Sequence, residues 1–249
     1  MGDFADRGKQ LELLEQDYMS CRKCSVMRSN RESVVFGEGS VAPGSVMLIG
    51  EAPGKEEDWS GLPFVGTSGK LLDEILLFVA HSPRLKELQE DYNQGDSVDY
   101  PTVRQFLVED ERLFYANTVC CRPDNNRNPT RQELSACWDR LRRTILIVDP
   151  VLIITLGKVP MNLLTKTKTA ITKVHGQLKD IVIPGEHVDV QYPLYPLVHP
   201  SFIEREGGHN EDGSWAQITF AEMLQAMVYV DHTRHHLFGE PIPDRGGNR

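Results

Sequence analysis

Short apolar runs that end in a small or polar residue, each followed by helical periodicity, constrain this chain more than any other feature. Residues 46–50, Val-Met-Leu-Ile-Gly, form the first such run and read as a buried strand. Residues 67–80 then place Leu71, Leu72, Ile75, Leu76 and Val79 on one broad helical face. Residues 113–119 are a second strand. Residues 130–148 are helical: Thr130 follows Pro129, Glu133 stands where a capping box needs it, and Pro150 lies beyond the end. Residues 151–156 are a third strand closed by Gly157. Residues 194–198 are a fourth, which Pro193 and Pro196 mark as an edge or partly paired strand. Residues 216–232 form a last helix. Strands alternating with helices imply a doubly wound, three-layer α/β/α fold around a mostly parallel four-stranded sheet.

The polar, acidic stretch at about 82–112 interrupts this alternation and is expected to be a surface insertion. Residues 1–238 are read as one domain carrying that insertion. The Pro- and Gly-rich residues 239–249 are expected to form a disordered tail. The first residues lack the apolar core of a secretory signal, and the longest apolar stretch is broken by Asp149 and Pro150. A cytoplasmic protein is therefore expected, with no membrane association. The formal net charge of −9 argues against a protein that coats nucleic acid, though not against an enzyme that touches a few phosphates. Arg140, Arg142 and Arg143, and likewise Lys158, Lys166, Lys168 and Lys173, read as solvated helix faces.

Cysteine spacing adds a second constraint. Cys21 and Cys24 form a C-x2-C, and Cys121 and Cys137 sit far downstream. A C-x2-C with a distant second pair suggests zinc or an iron–sulfur cluster rather than a disulfide framework. Spacing alone does not separate the two, and Cys120 is left over.

Ligands of open parallel sheets bind beyond the carboxyl ends of the strands. Here the first strand delivers Gly50-Glu51-Ala52-Pro53-Gly54, the second Asn117, the third Gly157, and the fourth His199-Pro200-Ser201. A carboxylate, a carboxamide and an imidazole would then share one rim.

These blocks carry a resemblance. Gly-Glu-Ala-Pro-Gly-Lys-Glu-Glu-Asp at 50–58, Gly-Leu-Pro-Phe-Val-Gly at 61–66 and Gly-Lys-Leu-Leu at 69–72 resemble the first motif of the family 4, iron–sulfur uracil-DNA glycosylases. The segment 115–130 with Cys137 is similar to that family's Asn and cluster-cysteine block. His199-Pro-Ser-Phe with Arg205 is similar to its C-terminal His motif.

The resemblance implies a uracil-DNA glycosylase-like fold and hydrolysis of deoxyuridine in single- or double-stranded DNA, leaving an abasic site. It implies a [4Fe–4S] cluster on Cys21, Cys24, Cys121 and Cys137. It makes Glu51 and His199 catalytic, and puts Ala52, Gly54, Glu57, Phe64, Asn117 and Arg205 against the substrate. Phe64 would stack on uracil and Asn117 would read its edge. Arg205 would lie on a DNA-probing loop after the His motif. Glu51, where a covalently linking relative would have Gln, implies monofunctional cleavage. A monomer is expected, with the insertion as a surface for a replication or repair protein. Two other functions fit the same motifs: a non-cutting glycosylase-fold protein that binds DNA or a replication partner, and a glycosylase for another deaminated base. Three histidines, His232, His235 and His236, have helical metal-ligand spacing without an evident further ligand.

Overall fold

The apolar runs are buried on both sides because each strand divides its side chains between two layers of helix. In the computed structural model, which describes residues 4–24, 31–206 and 214–245, the chain runs in this order: α1 (Phe4–Met19), β1 (Glu38–Gly39), β2 (Val46–Gly50), α2 (Lys55–Ser60), α3 (Thr67–Val79), α4 (Pro83–Asn93), α5 (Tyr100–Glu109), β3 (Leu113–Asn117), α6 (Arg131–Val148), β4 (Leu152–Leu156), α7 (Lys158–Thr165), β5 (Lys179–Ile183), β6 (Val190–Leu197), α8 (Pro200–Glu206) and α9 (Trp215–Phe238). Val46, Leu48, Leu113, Tyr115, Ile154 and Leu197 face one core with α3, α5 and α9. Met47, Ile49, Phe114, Ala116 and Ile153 face the other, against Leu141, Ile145 and Val148 of α6. This alternation gives the three layers.

The sheet corrects the expectation of four strands. Its order is β1-β3-β2-β4-β6-β5, six strands among the described residues. The four read from the sequence are the parallel centre, and β1 and β5 flank it antiparallel. Two residues of β1 are too few to make a pattern. β5 alternates buried Ile181 and Ile183 with exposed Asp180 and Val182, an amphipathic ribbon with no long apolar run. Nor is β6 an edge. Its two prolines fall where a neighbouring ladder stops: Pro193 precedes the β4 pairing, which begins at Leu194, and Pro196 lies past the β5 pairing, which ends at Leu194. Neither missing N–H therefore breaks a ladder.

The stretch at 82–112 is not a surface appendage. Ser82 caps α4 by accepting from the Leu85 N–H, and Pro83 starts the helix. Leu85, Val103 and Leu107 are fully or almost fully buried in the core shared with α3 and β3. The polar residues that suggested a surface insertion are only the outward faces of two amphipathic helices. The C-terminal segment is likewise ordered as far as it is described. Arg245 has a 2% exposed side chain and pairs with Asp231 and Glu111 while donating to the Val79 carbonyl. A cation with three such partners offsets the Pro- and Gly-rich composition that suggested disorder. Residues 246–249 lie outside the described residues. None of the described helices is long and apolar enough to cross a membrane.

Truncating Leu107 to alanine should lower the free energy of unfolding by about 2–5 kcal/mol, as for a buried leucine, measured by urea denaturation. A change under ~0.5 kcal/mol, the range of surface substitutions, would return the stretch to the surface.

Candidate active site and cysteine cluster

The carboxyl ends of the four parallel strands meet at one rim, and a cleft opens there. Glu51, Ala52, Gly54, Glu57, Phe64, Asn117, His199 and Arg205 all line it. All eight residues expected at a substrate site are thus brought together.

Close approach at the centre of the rim requires glycine. A Cβ on Gly50 would lie 2.5 Å from both Asn117 Oδ1 and Phe64 Cζ, nearer than packed atoms tolerate. Asn117 is 4% exposed, and its backbone carbonyl accepts from Arg140 Nη2 at 2.7 Å. Arg140 is wholly buried, so it belongs to no solvated face. It also reaches the Thr118 carbonyl at 3.2 Å. Thr118 in turn donates its hydroxyl to the Glu51 carbonyl, tying the ends of β2 and β3.

Phe64 is buried and sits in the left-handed region at φ 56°, a conformation costing a bulky residue about 1–3 kcal/mol. Its carbonyl lies so close to Gly69 that a Cβ there would be 1.9 Å from it. Glu57 is buried and holds the same loop. Its two carboxylate oxygens accept from the Gly54 N–H at 2.9 Å and the Gly66 N–H at 2.8 Å. Both oxygens of Glu57 face backbone, so it shapes the cleft wall rather than offering a free acceptor.

His199 follows β6 just beyond Leu197 and packs on Gly157, which has a φ of 94° and where an added Cβ would lie 3.2 Å from His199 Cβ. The Ser201 N–H donates to His199 Nδ1 at 3.1 Å, and the Ser201 hydroxyl lies 2.8 Å from the same nitrogen. An Nδ1 that accepts leaves the ring proton on Nε2. Burial, reinforced by Arg205, pushes the His199 pKa down to about 4, so the ring is neutral at pH 7. Burial moves Glu51 the other way on the pH scale, raising its pKa. Its carboxylate makes no hydrogen bond among the described residues. Arg205 is exposed on α8 rather than on a loop. Residues 207–213 lie outside the described residues.

A second cluster stands behind the rim. Cys21, Cys24, Cys120, Cys121 and Cys137 line one small cavity with Tyr18 and Arg31. None forms a disulfide. Arg31 donates to Cys121 Sγ at 3.1 Å and to the Cys21 carbonyl at 2.9 Å, a pairing suited to a thiolate. Among the described residues no group of three or more His, Cys, Asp or Glu side chains is gathered tightly enough to hold one metal ion, the His232–His236 set included. The thiols of Cys21, Cys24, Cys121 and Cys137 are soft sulfur donors of the kind that zinc or an iron–sulfur cluster takes.

The sequence profile of the uracil DNA glycosylase superfamily matches residues 36–225, a span that contains the whole rim. The chain belongs to the uracil-DNA glycosylase superfamily, in its type-4 family. A type-4 uracil-DNA glycosylase of Thermotoga maritima is 32% identical over 225 residues, covering 90% of this chain and 96% of that protein. Those of Sulfurisphaera tokodaii and Archaeoglobus fulgidus are 33% and 30% identical, over 77% and 79% of this chain and 74% and 87% of theirs.

Family motifs led to the cleft, but three of its supports were not legible. Ser201 sets the His199 tautomer, Thr118 ties Glu51, and Arg140 holds the Asn117 backbone. Only the position of Ser201, two residues after a rim histidine, carried any signal.

Replacing Glu57 with Gln puts an amide N–H against a backbone N–H. It should cost about 1–3 kcal/mol of stability, the range for an unmade buried hydrogen bond, read from the urea midpoint. An unchanged midpoint would mean that the carboxylate does not clamp the loop.

Proposed function

We propose that this chain is a monofunctional uracil-DNA glycosylase, hydrolysing the N-glycosidic bond of deoxyuridine in DNA and leaving an abasic site. The convergence of Phe64, Asn117, His199 and Glu51 on one cleft carries this reading, and the family membership supports it. The scissile bond of a stacked nucleotide is out of reach, so the base must be extruded into the pocket. Phe64 offers a buried aromatic face for it. Asn117 donates its amide N–H to uracil O4 and accepts from N3–H. Cytosine would turn an amino group toward that amide and a bare N3 toward that carbonyl. Two buried polar groups would then go unpaired, which rejects it.

As the bond breaks, positive charge grows on the sugar and negative charge on the uracil ring. His199, neutral and carrying its proton on Nε2, donates to O2 and stabilises that charge without a net charge of its own. Glu51, with oxygens free for water, orients the attacking water, takes its proton and offsets the sugar cation. Lys55, Lys158 and Arg205 border the cleft and supply cations for phosphates, so that a chain of net charge −9 can still hold DNA locally.

Cys21, Cys24, Cys121 and Cys137 would hold a [4Fe–4S] cluster. When bound, it would crosslink the segment after α1 to the end of β3 and to α6. Arg31, which donates to Cys121 Sγ, would supply a counter-charge to the ligating thiolates, and Cys120 is a buried neighbour. Cys137→Ala should lose most of the bound iron and its visible absorbance. Full iron content in that variant would remove Cys137 from the ligand set.

The test of the reaction is a labelled oligonucleotide with one uracil, treated with alkali after incubation. Breaks should appear at uracil alone. His199→Ala should lower kcat on the order of a hundred- to thousand-fold, as for loss of one donor to a developing anion. Absence of breaks from iron-replete protein would instead favour a DNA-binding role.

The pH profile tests the two titrations. Glu51 must be ionised and its pKa is raised by burial, so activity should fall on the acid side at a pH above that of an ordinary carboxylate. His199, lowered to about 4, should contribute no inflection between pH 6 and 8, a range that brackets the free-imidazole value of about 6.5. A decline through that value as pH rises would show that the imidazolium is the working form.

A further inference from the structure

We propose that Arg104, supplied by α5 within the 82–112 stretch, is a positioning residue that sets Phe64 as the stacking face for the base. This rests on the reading of Phe64 given above. Arg104 is 12% exposed at its side chain and lines a second cavity, which shares Phe64 with the cleft. Its Nη2 donates to the Phe64 carbonyl at 2.7 Å and its Nη1 to the Pro63 carbonyl at 3.0 Å. Those bonds fix the peptide planes on both sides of the Phe64 Cα. They thereby hold the left-handed backbone from which the ring projects toward Gly50 and Asn117.

The guanidinium is itself held firmly. Asp73 of α3 accepts from Nε and Nη2 at 2.8–3.0 Å, and Glu38 accepts from Nη1 at 3.4 Å. The guanidinium carbon lies 3.9 Å from the centre of the Tyr115 ring, and the Tyr115 hydroxyl donates to Asp73 at 3.3 Å. Tyr115 is two residues before Asn117 on β3. Arg104 therefore refers the stacking face and the edge-reading carboxamide to one strand. Without it, Phe64 would have Gly69 behind its carbonyl but no donor to hold it.

Lysine separates this role from a purely structural one. It keeps the ion pair with Asp73, but a single ammonium cannot fork to two carbonyls and has no plane to lay on Tyr115. Arg104→Lys, Phe64→Ala and the double variant are to be compared as cluster-loaded full-length chains. The measurements are kcat/KM on a uracil oligonucleotide, affinity for the matched undamaged strand, and melting temperature. Arg104→Lys should lose about ten-fold or more in kcat/KM, the equivalent of one good hydrogen bond, while undamaged-strand affinity stays within about two-fold. Phe64→Ala should be impaired as well. Adding Arg104→Lys to it should cost nothing further, because residues acting through one another are not additive.

A wild-type rate in Arg104→Lys, additive losses in the double variant, or failure of Arg104→Lys to fold would each overturn the proposal. A wild-type rate in Phe64→Ala would instead overturn the reading of Phe64 itself.

Discussion

The register of the four parallel strands decides where chemistry can happen in this protein. Gly50 pairs with Asn117 across β2 and β3, and Leu156 pairs with Leu197 across β4 and β6. Strands in step end together, so the residues leaving them turn onto the same rim. A slip of one residue in β3 would send Asn117 to the opposite face of the sheet. It would also put a side chain where Gly50 leaves room. The narrow centre of the cleft follows from that pairing: Asn117 and Phe64 approach a backbone with no Cβ, and His199 does the same against Gly157.

Loops beyond the strands lack the ladder's hydrogen bonds, and buried ions take its place. Glu57 binds the amides of Gly54 and Gly66. Arg104 binds the carbonyls of Pro63 and Phe64, and Arg140 those of Asn117 and Thr118. Each is shielded from water, where hydrogen bonds to charged groups are strongest. The two residues proposed to act on the scissile bond are treated differently. Burial disfavours charge on both Glu51 and His199, leaving an uncharged imidazole as donor and a carboxylate with heightened affinity for a proton. That combination suits a reaction in which opposite charges appear on sugar and base together.

Much of this was legible in the sequence. Each central strand is an apolar run buried on both faces, and helix α6 carries its whole capping box in Thr130 and Glu133. The rim residues stood at predicted strand ends, and family motifs joined them. The edge strands were not legible, because two residues or an alternating ribbon give no apolar run. Helices α4 and α5 were hidden by composition: polar and acidic outer faces surround Leu85, Val103 and Leu107, the residues buried in the core. The burial of Arg140 and Arg104 could not be foreseen either. A buried arginine has the same letter as a solvated one, and half of the hydrogen bonds these two make go to backbone carbonyls that no sequence pattern encodes.

Direct identification of the released base tests the central claim most closely. The cluster-loaded protein would be incubated with matched oligonucleotides carrying uracil, cytosine, thymine, hypoxanthine or xanthine at one position, and the free bases separated by chromatography. The account predicts free uracil from its own substrate and none from the cytosine or thymine strands, because Asn117 would face mismatched groups on cytosine and the pocket is narrow at Gly50. Release of hypoxanthine or xanthine at the rate of uracil, or of no base at all, would contradict it.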